Sequence, residues 1–160
     1  MALLNILKNK EPELRKVSRP VEQINSRILT LLDDMRETLA KANGIGLAAP
    51  QVGILRRVAI IEDSDGTIIE MINPEIIERS GMQEKVEGCL SSPGDYALTS
   101  RPMTVKIRAI NRHGEIFTLE RSELSARAIC HEIDHLNGVM CYDNAIRLLT
   151  QEEVAQMREE

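Results

Sequence analysis

The sequence predicts an α+β fold: one domain over residues 1–160 in which antiparallel strands pack around a buried helix. Three observations carry this. Two stretches, around 25–43 and 123–137, space their apolar residues with the 3.6-residue period of a helix. Four strand-like stretches lie in two pairs, each pair joined by a short Gly-containing turn. That is the pattern of hairpins and not of regular β-α alternation. The chain has 160 residues, 42% of them apolar, which is enough for one proper core, and no repeat, linker or low-complexity segment divides it.

The elements follow in order. In "INSRILTLLDDMRETLAKANG", Asn25 or Ser26 can cap a helix with the apolar stripe Ile28, Leu31, Leu32, Met35 and Leu39. Asn43-Gly44 ends it. A Gly-rich loop, "GIGLAAPQVG" (44–53), comes next. Strands are expected in "RRVAIIED" and "TIIEMINPEII" around the turn "SDG", and in "MTVKIRAIN" and "EIFTLER" around the turn "RHG". His113 lies in the second turn and reads as a solvated turn residue. A helix from about Glu123 to Asn137 follows, with Gly138 as its stop. The tail "TQEEVAQMREE" reads as a short acidic helix capped by Thr150.

Composition removes several classes of function. No apolar run approaches the length that spans a bilayer. The start, "MALLNILKNKEPELRK", has neither the basic region nor the cleavage site of a secretion signal, so a mature, non-secreted protein is expected. Three cysteines at irregular spacing make no disulfide framework and suit a reducing cytoplasm. A net charge of −5 and 2% aromatics argue against direct nucleic-acid binding.

Chemistry concentrates in "RAICHEIDHLNGVM" (127–140). His131 and His135 are four residues apart, about 40° around a helix axis, and project from one face. Glu132 points about 100° away, close enough to reach a metal-bound water without ligating the metal. Two neutral imidazoles half buried on an apolar helix want a polar partner, and a metal supplies one. A catalytic site of this kind needs a third protein ligand. None of the 25 residues after His135 is histidine, and the carboxylates there read as solvated, so the ligand is sought among the cysteines. Cys130 points away from His131 and reads as a small buried helix residue. Cys141 follows the helix end too closely to fold back easily. Cys89, in "EGCLSSPG", remains: Gly88 before it and Pro93-Gly94 after it mark a constrained turn at a strand end. Taken alone, Cys89 would read as a buried small hydrophobe.

"GIGLAAPQVG", "EGCLS" and "HEIDH", in this order and at these separations, resemble the three motifs of the bacterial peptide deformylases. The similarity extends to "EPELRKVSRPVE" and "SRPMTVKIRAI" and so covers nearly the whole chain. The resemblance implies a small α+β domain with the metal-motif helix buried among sheets, and hydrolysis of the formyl group from the N-terminal formylmethionine of newly made polypeptides. It makes Cys89, His131 and His135 the metal ligands and Glu132 the general base and acid. Gln51 and the backbone N–H of Leu90 become donors to the formyl oxygen. Ile45, Gly46 and Leu47, with Gly88 on the cysteine motif, become substrate-binding residues. One divalent metal per chain is implied, iron(II) in the cell, with zinc, nickel or cobalt able to occupy the site. A monomer with a transient ribosome encounter is expected.

Ser92 and Asp95-Tyr96 depart from the family pattern at positions that can shape the cleft rim, and the short acidic tail cannot serve as a basic ribosome-binding helix. Two other readings compete. An H-E-x-x-H endopeptidase is discouraged by the upstream cysteine, and a metal-stabilised binding module would need a fourth protein ligand that the sequence does not offer.

Overall fold

The structure is a computed structural model and describes residues 2–159. Met1 and Glu160, the ends of the predicted domain and tail, lie outside the described residues. A 3-10 turn at Pro12–Arg15 precedes helix α1 (Ser26–Ala42). Asn25 caps α1, its side chain accepting from the Ile28 N–H at 3.2 Å, and Asn43 ends it in the left-handed region at φ 55°.

The predicted Gly-rich loop is more ordered than expected. It contains strand β1 (Gly46–Ala48) and a 3-10 turn over Ala49–Val52. The glycines disfavour a strand locally, but pairing Leu47 with Ile60 and Ala48 with Ala59 places the segment on a sheet. Strands β2 (Val58–Glu62) and β3 (Ile68–Ser80) form the first expected hairpin. Pro74, which cannot donate to a ladder, sits where the β3 register shifts between Ile72 and Glu75.

Two strands that the sequence does not announce come next, β4 (Gln83–Cys89) and β5 (Ser92–Arg101). They pair with each other, so a partner close in sequence supplies what propensity lacks. Strands β6 (Thr104–Ile110) and β7 (Ile116–Ser122) make the second expected hairpin. Helix α2 (Glu123–Leu136) carries the histidine motif, strand β8 (Arg147–Leu149) follows, and helix α3 (Gln151–Glu159) closes the chain. The Thr150 hydroxyl accepts from the Glu153 N–H at 3.1 Å, the cap expected of the tail. His113 is exposed in its turn.

All strand pairing within the sheets is antiparallel. One sheet has five strands in the order β1-β2-β3-β6-β7, the other three in the order β4-β5-β8. The central strands of the larger sheet are apolar on both sides because both sides are covered. Ile60 and Ile72 face α1 with Leu32 and Met35, whereas Ala59, Ile61 and Ile107 face α2 with Ala126, Ile129 and Ile133. The opposite side of α2 meets β5, where Arg127 donates to Thr99 and Arg101 to Asp134. The histidine helix is therefore buried between two sheets, as the sequence predicts.

A glycine fixes where α2 stops. Gly138 has φ +75°, and a Cβ there would lie 2.5 Å from the Arg15 carbonyl oxygen.

Candidate active site

The site residues come from two elements that meet at the cleft floor. Strand β4 ends at Cys89, placing its thiol beside α2, whose face presents His131 and His135. Cys89 Sγ lies 3.3 Å from His135 Nε2, and the two Nε2 atoms lie 3.1 Å apart. His131 Nδ1 is 3.0 Å from Glu87 Oε1. A carboxylate only accepts, so Nδ1 carries the proton and Nε2 turns a lone pair to the centre.

The Cys89 sulfur and the two facing Nε2 atoms thus converge on one centre. That donor set, a thiolate and two imidazoles, fits a divalent cation and leaves room for a further ligand. His135 Nδ1 is buried with no partner among the described residues.

The site's electrostatics follow from burial. Glu132 is 4% exposed, one of its oxygens has no partner among the described residues, and burial pushes its carboxyl up to about 7. Positive charge on His131 would oppose that rise, and the Glu87 charge adds to it. Glu87 behaves in the opposite way. Burial alone would raise it, but Arg101 in a two-pronged contact, together with His131, holds it well below the usual carboxylate range. Thr99 and Arg127 take up its remaining acceptor capacity.

Glu87 escaped the sequence reading. In hindsight the signal is its place two residues before Cys89 on a strand, which sends its side chain to the same side of the sheet.

Cys141 does fold back, contrary to expectation. After Gly138 turns the chain, its sulfur comes within 4.8 Å of ligand atoms of Glu87 and His131. These three groups are a poorer metal site than Cys89, His131 and His135. Burial pushes the Cys141 thiol up to about 11, and Glu87 is already saturated. Cys130 is buried, as predicted.

Gln51 is 1% exposed. Its Oε1 accepts from the Ala48 N–H at 2.9 Å, which settles the amide orientation because a backbone N–H can only donate. Its Nε2 therefore faces Ser91 Oγ at 3.1 Å and Cys89 Sγ at 3.7 Å. The Leu90 N–H has no backbone acceptor among the described residues.

A cleft of about 430 Å³ opens over this floor, lined among others by Ile45, Gly46, Gly88, Cys89, Leu90 and Glu132. Asp95 and Tyr96 stand on its wall and Ser92 is buried within it. Leu47 is the predicted substrate residue whose side chain turns away. It is 0% exposed, in the α1 core. Gly46 is fixed by contact, since a Cβ there would lie 2.5 Å from Glu132 Oε2. Strand β1 is the sheet's edge. The Glu62 N–H donates to the Ile45 carbonyl and Leu47 pairs with Ile60, so the ladder's alternation turns the Gly46 N–H and C=O outward to the cleft.

Comparison with known proteins points one way. The family model described as polypeptide deformylase matches residues 3–151. A peptide deformylase of Acetivibrio thermocellus is 51% identical over 99% of this chain and 93% of its own length. One from Alkaliphilus metalliredigens is 54% identical over 92% and 99%. Among solved structures, the Thermotoga maritima peptide deformylase superposes with a TM-score of 0.88 at 34% identity, covering 92% of this chain and all of that one. A Met-Ala-Ser-bound peptide deformylase of Acinetobacter baumannii gives 0.83 at 33% identity, covering 89% and 98%.

Proposed function

The chain belongs to the polypeptide deformylase family, and from that premise we propose that Cys89, His131 and His135 hold the metal of a deformylase centre in which Glu132 moves the protons. The reaction is removal of the N-formyl group from nascent peptides. The observation that carries the assignment is the convergence of the Cys89 sulfur with two facing imidazole nitrogens, directly beside a buried carboxyl raised to about 7.

A bound divalent cation would act as a Lewis acid, making water acidic enough to attack near neutral pH and polarising the formyl oxygen. The chain's own groups do the rest. Glu132 takes a proton from the attacking water and returns it to the leaving amine, a role suited to a group that titrates near neutrality. Gln51 Nε2 and the Leu90 N–H donate to the formyl oxygen as it gains charge, each contributing about 3–4 kcal/mol by analogy with other oxyanion sites. The outward N–H and C=O of Gly46 pair with an extended peptide along the β1 edge, Ile45 covers it, and Gly88 lines the wall beside Cys89. Leu47 supports β1 from within the core.

Formate release from formyl-Met-Ala, set against cleavage of an unformylated internal peptide bond, tests the function. Metal-loaded protein should release formate and leave the internal bond intact. The reverse would make it an endopeptidase.

Within the same reading, residues 1–160 act as one domain, a cytoplasmic monomer that meets formylmethionyl nascent chains in a transient encounter with the ribosome. No helix among the described residues is long and apolar enough to cross a membrane. Iron(II) is the metal we assign in the cell, with zinc, nickel and cobalt as alternative occupants. Protein purified without oxygen should carry iron and lose activity in air, and nickel substitution should preserve it. Equal turnover by the zinc and iron forms of one apo preparation would overturn the iron assignment.

A further inference from the structure

Residues 2–9 form no regular element, yet their backbone is pinned at four points. The Ala2 N–H donates to Asp34 at 2.7 Å and the Leu4 N–H to Thr38 at 2.9 Å, both on α1. Leu4 and Ile6 pack against the α1 core. The segment then crosses to the active site, where the Leu7 N–H donates to the Gln51 carbonyl and the Asn9 N–H to the Ser91 carbonyl, each at 2.7 Å. Those two bonds reach the residue of one donor assigned to the formyl oxygen and the direct neighbour of the other. One holds the backbone of Gln51. The other holds Ser91, which follows Leu90 directly and whose hydroxyl accepts from Gln51 Nε2.

We infer that residues 7–9 are a positioning element for these two donors, with Asn9 as its critical residue. The inference rests on the reading of Gln51 and Leu90 proposed above. Asn9 has φ 57°, in the left-handed region that asparagine tolerates and β-branched side chains resist. Its side chain is exposed, so packing does not explain the conformation. The left-handed residue lets the chain turn away toward the Pro12 segment while its N–H still points at Ser91. The Glu11 N–H closes that turn on the Lys8 carbonyl at 3.3 Å. Donors of this kind work only near their required geometry, and a displacement of about 1 Å costs on the order of a hundredfold in rate. A strap tied to α1 at one end and to the Gln51 and Ser91 carbonyls at the other keeps the two donors in register with β1 and β4.

The test uses the full metal-loaded chain, formyl-Met-Ala as substrate, and the variants Asn9→Val, Asn9→Gly, Gln51→Ala and the double Asn9→Val/Gln51→Ala. Asn9→Val should lower kcat about tenfold or more with little change in KM, because the donors act most on the transition state. Asn9→Gly, which keeps the N–H and accepts positive φ, should stay near wild type. The double variant should lose less than the product of the single losses, since both changes act on the same groups. Thermal melts establish that each variant is folded at the assay temperature, and Asn9→Ala, with milder strain, serves in place of Asn9→Val if that variant is not.

Wild-type kcat in Asn9→Val, a loss confined to KM, or fully multiplicative losses would overturn the inference while leaving the donor roles intact. Wild-type kcat in Gln51→Ala would overturn the donor reading and the inference with it.

Discussion

At the scale of single residues, the site works by giving two neighbouring carboxyls opposite environments. Glu87 is surrounded by Arg101, Arg127, Thr99 and His131 and stays ionised, whereas Glu132 has little to neutralise it and rises to about 7. In the proposed mechanism the first orients a metal ligand and the second exchanges protons. Glu132→Gln should therefore keep metal near one per chain while cutting kcat by about 10²–10⁴-fold, measured as formate release alongside elemental analysis. Wild-type turnover with the metal retained would remove Glu132 from its role. The motif residues were legible because their chemistry is tied to spacing: His131, Glu132 and His135 stand out in any helical reading. Glu87 and Ser91 were not, because their roles depend on partners 44 and 40 residues away, brought together by the fold.

At the scale of elements, periodicity revealed what is amphipathic or apolar and missed what pairing alone creates. Helices α1 and α2 and both predicted hairpins carry their own signal. Strands β4 and β5 do not, because "QEKVEGC" and "SPGDYALTSR" mix charge, glycine and proline into a pattern stabilised by their mutual ladder and by the pairing of β5 with β8. Strand β1 likewise exists by pairing with β2.

The functional consequence of β4 is the link from Glu87 to His131, which joins that strand to α2. Glu87→Gln should weaken metal binding by about 10–100-fold, the usual cost of losing the group that orients a ligating histidine. Competition with a chelator measures it, and unchanged affinity would reduce Glu87 to a structural ion pair.

A second junction binds α1 to the sheet. Glu70 on β3 accepts from Arg36 on α1 and from Arg112, which also reaches Asp33. Burial alone would raise Glu70, but the Arg112 and Arg36 hydrogen bonds hold it below its ordinary value. A folded pKa lower than the unfolded one means stability that is fully present above the unfolded pKa and lost as pH falls through the folded one. Glu70→Gln should thus cost about 1–2 kcal/mol at pH 7, and the difference from wild type should shrink below about pH 4. A denaturant-melt difference that stayed constant down to pH 3 would refute the linkage.

For the whole molecule, the question is what joins the three-stranded sheet to the five-stranded one. Helix α2 packs its apolar side on the larger sheet, and its contacts with the smaller one are largely polar: Arg101 with Asp134, Arg127 with Thr99 and Glu87, His131 with Glu87. A cation held by Cys89 from β4 and by His131 and His135 from α2 would cross this seam. It would bind the folded chain and not the unfolded one, where the three ligands are scattered over 46 residues. Linkage then requires stabilisation of about 2.7 kcal/mol at a free metal concentration of a hundred times Kd. For a domain of this size that is a rise of about 5–10 °C in Tm. The expected result is a Tm that falls by this amount when metal is removed with a chelator and returns when nickel is restored. Cys89→Ala should remove most of the difference by taking away the only ligand contributed from the smaller sheet, while keeping a folded chain whose Tm lies near that of the metal-free wild type. Superimposable melts for metal-free and reloaded wild type would mean that the polar contacts hold the sheets together unaided, and that the metal serves the chemistry without supporting the fold.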